Sequence, residues 1–227
     1  MHEPAMPSAA VAAVMAPMAA AAALLALDRV HFVAVDGVDG AGKSVFAGGL
    51  GVALAAAGRA TVRVSLDGFH NPATTRHARG RCDPDGFYED SFDYARLDEV
   101  LLSPLRAGGS RRIRRAAYDV DTETPIDAPL ERVPLGAVLV VDGLFLHRPQ
   151  LTGQWDLSVW LDVPFEVTFA RMAIRDGRPS DPYHAANTRY LLGQQRYLLE
   201  CTPAGQATWV VDNADPSRPR LLADRSG

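Results

Sequence analysis

The run Gly37-Val38-Asp39-Gly40-Ala41-Gly42-Lys43-Ser44 sets a lysine and a hydroxyl directly behind a glycine-rich turn. Its spacing is G-x-x-x-x-G-K-[ST]. In that pattern the glycines let backbone N–H groups approach phosphate oxygens, the lysine reaches the β- and γ-phosphates, and the hydroxyl binds Mg²⁺. Lys43 is the only lysine of the chain, and the other 22 basic residues are arginine. An ammonium is a compact charge on a slim stem, whereas a guanidinium is a wide planar fork. The one place where arginine is not used is the place where a fork would not fit beneath the loop. Gly37, Val38, Asp39, Gly40, Ala41, Gly42, Lys43, Ser44 and the following Val45 are therefore candidate contacts for a nucleoside triphosphate with Mg²⁺.

Two acids stand where chemistry on that phosphate would need them. Asp142 follows the apolar run Val138-Leu139-Val140-Val141, an arrangement in which a strand-end carboxylate orients Mg²⁺ directly or through water. With Ser44 it forms the expected metal set. Asp67 closes the β-branched run from Thr61 to Leu66. There it could accept a proton from an attacking hydroxyl, acting mainly to position it in a loose phosphoryl-transfer transition state. His70 is near enough to line the same site. Arg171 and Arg175 lie four apart, on one helical face, ahead of the breaker Asp176-Gly177-Arg178-Pro179. They suit a lid that neutralises developing charge and excludes water. The plain alternatives are turn-forming aspartates before glycine and a solvated basic face.

These residues need elements to bring them together. A strand from Val30 to Asp36 precedes the loop, and a helix over 45–57 follows it, ending at Gly58. Further strands are expected at Thr61 to Leu66, Ala137 to Val141, Leu157 to Val163 and Thr208 to Val211, and helices at 91–106, 165–176 and 184–200. Alternation of this kind gives a parallel sheet covered on both faces, with ligands beyond the carboxyl ends of the strands. That puts the loop, Asp67, Asp142 and Asn213 on one rim. The expected fold is α/β, a three-layer α/β/α sandwich with a five-stranded parallel sheet and a small inserted β-hairpin.

The 227 residues suit one domain. It is expected over 29–215, with the hairpin at about 107–135 and the lid at about 171–184. Residues 1–28 form an alanine-rich leader, flexible at first and then helical from Met18 to Leu27, and 216–227 form a loose tail. The leader lacks the positive start of a signal peptide. Its alanines are weakly apolar and Pro17 interrupts them, which argues against a membrane span. A net charge of −4 argues against a dedicated nucleic-acid binder. Strand alternation would also split the Arg111 to Arg115 charges onto two faces. Cys82 and Cys201 have no metal-ligand spacing and read as reduced thiols of a cytoplasmic protein. His31, His77, His147 and His184 read as structural. The expected partner is a small-molecule substrate, with no nucleic acid and no membrane, and a homo-oligomer is compatible with the sequence.

From Arg29 to Asp215 the chain resembles the uridine kinase family of P-loop nucleoside kinases, particularly the short uridine-kinase-like proteins of high-GC bacteria. The landmarks are the Gly37–Ser44 loop, Asp67-Gly68-Phe69-His70, Pro84-Asp85-Gly86-Phe87-Tyr88, Tyr118-Asp119, Val141-Asp142-Gly143, Leu161-Asp162, the Arg171 to Arg175 helix and Tyr197 to Pro203. The resemblance implies the P-loop NTPase fold, ATP as donor, and Asp67 as base toward a ribose 5′-hydroxyl. It implies Tyr118 as an aromatic contact to the substrate base, and Asp83, with Asp85 or Asp93 as alternatives, on the ribose hydroxyls. It sets Asn213 beside adenine. The implied activity is conversion of uridine or cytidine to the 5′-monophosphate. The run Tyr118 to Glu123 holds no histidine, where the family carries one shortly after the Tyr-Asp pair, and Asp-Gly-Phe-His resembles the pantothenate- and sugar-kinase branches equally. The same chemistry on pantothenate, a sugar or another nucleoside is the alternative. A regulatory ATPase without a small acceptor is the second. A guanine-reading [NT]-K-x-D segment cannot occur in a chain whose one lysine is Lys43.

Overall fold

The computed structural model describes residues 9–226, so the first eight residues of the expected leader and Gly227 lie outside the description. The helices are α1 (Ala9–Ala23), α2 (Lys43–Ala56), α3 (Ala73–Arg76), α4 (Pro84–Asp90), α5 (Tyr94–Leu97), α6 (Ser103–Leu105), α7 (Phe165–Asp176), α8 (Thr188–Cys201) and α9 (Pro203–Gln206). The strands are β1 (His31–Gly37), β2 (Thr61–Ser65), β3 (Arg112–Ile113), β4 (Tyr118–Asp119), β5 (Thr124–Pro125), β6 (Glu131–Arg132), β7 (Val138–Gly143), β8 (Leu157–Asp162), β9 (Trp209–Asp212) and β10 (Arg220–Asp224).

The main sheet runs β10-β9-β8-β1-β7-β2. β1, β2, β7, β8 and β9 are parallel and match the expected strands. Every residue of β1 and β7 is buried, because helices cover both faces. The chain leaves β1 toward β7 and β2 on one side and toward β8 and β9 on the other. The turn after β1 thus sits at the topological switch point, where such sheets open a crevice. Among the described residues, no helix is long and apolar enough to cross a membrane.

Several expectations need correction. The main sheet has six strands, not five. Part of the supposedly loose tail adds β10 antiparallel to the free edge of β9, with Arg220 opposite Asp212 and a bulge between Leu221 and Ala223. The N-terminal helix runs from Ala9 to Ala23, not from Met18 to Leu27, and passes through Pro17. A mid-helix proline costs about 3 kcal/mol, yet Val14, Met15, Met18, Ala19 and Ala22 are buried in the core, and that packing prevails over local propensity. The helix expected over 91–106 is α5, a five-residue π-turn from Asp98 to Leu102, and α6. The insertion is two short ladders instead of one hairpin, β3 with β6 and, at its tip, β4 with β5.

Candidate active site

The loop between β1 and α2 turns on two left-handed glycines, Gly40 at φ 79° and Gly42 at φ 90°. A Cβ on Gly40 would stand 2.6 Å from the Thr168 carbonyl oxygen, so only glycine fits there. Gly42 is the N-cap of α2 and brings no side-chain cap. The first-turn amides of a helix have no intrahelical acceptor, and its N-terminus favours an anion. Lys43 Nζ donates to the Val38 carbonyl at 2.9 Å, which folds the ammonium back over the loop.

Ser44 Oγ donates to Asp142 Oδ2 at 2.6 Å, and Asp142 is 2% exposed at the end of β7. Arg63 of β2 donates to the Ser44 carbonyl at 2.8 Å and lies 3.6 Å from Asp142 Oδ1. Ser65, the last residue of β2, is in register with Asp142, so Asp67 lies two residues past that strand end, on the same rim as Asp142. Asp67 sits in a 3₁₀ turn from Leu66 to Phe69 that begins when its own N–H donates to Ser65 Oγ at 3.3 Å. Its carboxylate is exposed and has no hydrogen bond or ion pair among the described residues. His70 stays beside it: Nδ1 bonds the Asp67 carbonyl at 2.9 Å and the ring lies 4.6 Å from that of Phe92. The insertion covers this turn, with Ala117 N–H donating to the Gly68 carbonyl at 2.7 Å.

Other candidates have structural work within the chain. Asp83 caps α4 by accepting the Gly86 N–H at 2.6 Å. Of its alternatives, Asp85 pairs with Arg196 and Asp93 caps α5. The Tyr118 hydroxyl donates to Glu123 at 3.0 Å, and burial together with that carboxylate raises its pKa. Glu123 in turn pairs with Arg76 and accepts the Ala73 N–H. Arg171, expected in a lid over the phosphates, is bound to the loop itself. It donates to the carbonyls of Gly40 at 3.1 Å, Asn213 at 3.0 Å and Ala214 at 2.9 Å. Arg175 faces Asp176 and, at 3.4 Å, Asp39. Both arginines belong to the regular helix α7, and the irregular segment begins only at left-handed Gly177. Asn213 is buried and holds the Ala41 carbonyl at 2.7 Å. Beside it, a cavity of about 720 Å³ opens off Gly42 and Ser44.

Beneath the loop lies a group the sequence reading missed. Asp36 is fully buried at the end of β1. Its Oδ1 accepts the Gly37 N–H at 2.8 Å, and its Oδ2 takes His147 Nδ1 at 2.7 Å and the Tyr197 hydroxyl. Burial, with the Asp36 charge, pushes the Tyr197 hydroxyl well above its usual range and keeps it a donor. Gln194, one turn earlier on α8, accepts the Asp39 N–H at 2.5 Å. The one sequence signal was an acid ending an otherwise apolar strand, the same pattern that marked Asp142.

A family model described as Phosphoribulokinase / Uridine kinase family matches residues 32–179. Among solved structures, a protein described as a possible uridine kinase from Bacillus stearothermophilus aligns with a TM-score of 0.68 and 19% identity, over 86% of this chain and 96% of that one. A proposed fructose transport system kinase from Silicibacter aligns with a TM-score of 0.66 and 26% identity, over 83% and 94%. D-glycerate 3-kinase from Cryptococcus neoformans aligns with a TM-score of 0.59 and 12% identity, over 93% and 98%.

Proposed function

This chain belongs to the phosphoribulokinase/uridine kinase family, and from that premise we propose that it transfers the γ-phosphoryl group of ATP to a hydroxyl of a small molecule. The observation that carries the reading is the meeting of three groups at adjacent strand ends. They are the α2 N-terminus, which Gly42 leaves without a side-chain cap, with Lys43; the Ser44–Asp142 pair; and the Asp67 carboxylate, which has no partner among the described residues.

In this reading the loop amides and Lys43 hold the β- and γ-phosphates. Asp67 accepts the hydrogen of the incoming hydroxyl and points its oxygen in line with the departing ADP, and it takes the proton as the new P–O bond forms and the bond from the γ-phosphorus to ADP breaks. Ser44 and Asp142 offer hard oxygen donors of the kind Mg²⁺ takes alongside phosphate oxygens and water. Mg²⁺ held there would supply neutralising charge to the transferred group. Arg175, on the loop-facing side of α7, would pair with that charge on leaving Asp39.

Uridine or cytidine is the first acceptor in this proposal, giving the 5′-monophosphate. A second reading, a sugar acceptor, draws on specific observations. Asp83 and the Tyr118 hydroxyl, the expected nucleoside contacts, are engaged within the chain. No histidine stands in the run Tyr118 to Glu123, and a structural relative is described as a proposed fructose transport system kinase. The test is ADP release with uridine, cytidine, pantothenate, hexoses and no acceptor. A kinase releases ADP only when an acceptor is present. Equal release without one would instead support a regulatory ATPase. Uridine-dependent and hexose-dependent release separate the two acceptor readings.

A further inference from the structure

The cavity beside the phosphate loop has a wall that lies outside the family-matched span. Val11 and Met15 of α1 line it, facing Val45 and Gly49 of α2 and Pro216 and Pro219 beyond β9. The seat of α1 is specific. A Cβ on Gly49 would stand 2.6 Å from Met15 Cε and 2.8 Å from its sulfur, so Met15 occupies the space of a missing side chain. A mid-helix glycine costs about 0.5–1 kcal/mol relative to alanine. α2 carries this glycine on its α1 side, and Gly48 and Gly51 receive the Arg63 side chain.

The opposite wall has little left to offer a ligand by hydrogen bonding. The carbonyls of Asn213 and Ala214 accept from Arg171, and the side-chain nitrogen of Asn213 donates to the Ala41 carbonyl. The N–H groups of Ala214 and Ser217 go to Asp212 and Asp215 side chains, and that of Arg218 goes to the Asp215 carbonyl. Pro216 and Pro219 have no N–H. The pocket continues from Gly42 and Ser44, so whatever extends from a phosphate chain bound there enters a mostly apolar slot between α1 and the proline segment, which Arg63 and Arg171 also line.

We propose that α1 is a wall of the donor-nucleotide site, with Val11 and Met15 packing against the base and ribose. The proposal rests on the phosphate-donor reading above and extends it to a helix not matched by the family model.

Calorimetry on the full chain tests it with two probes, Mg·ADP and Mg·tripolyphosphate, the second lacking base and ribose. Val11→Trp fills the slot from its rim. It should weaken ADP by about tenfold or more, the loss of one good apolar contact surface, and leave tripolyphosphate within about twofold. Unchanged ADP affinity in the folded variant overturns the proposal. An equal loss for both probes also does, because α1 would then act on the loop through the fold. If thermal melting shows that Val11→Trp does not fold, Val11→Gln is read instead. A loss of about threefold for ADP alone is expected from a polar group set in an apolar wall, and no loss overturns the proposal. A wild-type chain that binds tripolyphosphate but not ADP contradicts the wall alone. One that binds neither defeats the donor reading itself.

Discussion

Four side chains carry the proposed chemistry, and each is distinguished by what holds it. Ser44 and Asp142 hold each other, Lys43 is held by its own loop, and Asp67 is held by its backbone alone. A carboxylate with its lone pairs free at a strand end is available to an incoming hydroxyl, whereas Asp83, of similar promise in the sequence, already accepts an amide. Asp67→Asn keeps the shape of the turn and removes the proton acceptor. It should leave ADP affinity unchanged and lower turnover by about 10²-fold or more, the usual worth of a general base. Steady-state kinetics with parallel binding measurements check this, and wild-type turnover would remove Asp67 from the role. The loop, Asp142 and Asp67 were legible because each is a local pattern, a spacing or an acid ending an apolar strand. The Asp36 cluster was not. Its partners His147 and Tyr197 lie 111 and 161 residues away, and a buried carboxylate cannot be told from an exposed one until those partners are placed.

The elements matter through how closely they approach. β7 and the turn after β2 meet at Gly143, where an added Cβ would stand 2.4 Å from Leu66 Cβ. That atom is fixed to the backbone and cannot swing away, and Leu66 immediately precedes Asp67. Gly143→Ala should therefore cost about 1–3 kcal/mol, as overpacking does, and also lower turnover by shifting the turn that aims Asp67. Thermal melting and kinetics together check it; lower stability with unchanged turnover would uncouple that contact from catalysis. At the other end of the sheet, Asp156 ties the start of β1 to the segment before β8. It accepts from the Phe32 N–H at 2.8 Å and from Arg29 at 3.0 Å. Burial alone would raise its pKa, but the Arg29 bond and the Phe32 amide bring it below the usual carboxylate value. A depressed carboxylate stabilises the fold above its unfolded value of about 3.9 and loses that contribution as pH falls through the folded value. The melting-temperature gap between wild type and Asp156→Asn should thus be steady near neutrality and shrink below about pH 4. A gap that persists at pH 3 would remove the charge from the explanation. The five parallel strands were readable as apolar runs. β10 was not, because an edge strand exposing Arg220, Leu221, Leu222 and Asp224 has no buried face to leave a pattern, and α1 was obscured by Pro17.

Across the whole molecule, the charge inventory itself gives a test. The chain carries 22 arginines and one lysine at a net charge of −4. Many of the arginines are tied to carboxylates or backbone carbonyls: Arg76 to Glu123, Arg115 to Glu131, Arg196 to Asp85 and Glu89, and Arg189 to the carbonyls of Arg76 and Asp83. A planar fork with five donors serves such ties better than an ammonium does. Arginine therefore does the scaffolding, and the single primary amine of a side chain is left at the phosphate loop. An amine-acylating reagent has only two kinds of target here, the α-amino group and Lys43. Acylation removes the charge that the β- and γ-phosphates would meet, and the scaffold of arginine ties is untouched. Loss of activity should therefore track modification of Lys43 one to one, as read by mass mapping of the peptide that contains it. Mg·ATP should slow that modification while leaving the α-amino reaction unchanged, and the melting temperature without nucleotide should stay close to that of the unmodified protein. A preparation fully acylated at Lys43 that still turns over would mean the ammonium is not needed at the phosphate, and the donor site would have to be sought elsewhere on the rim.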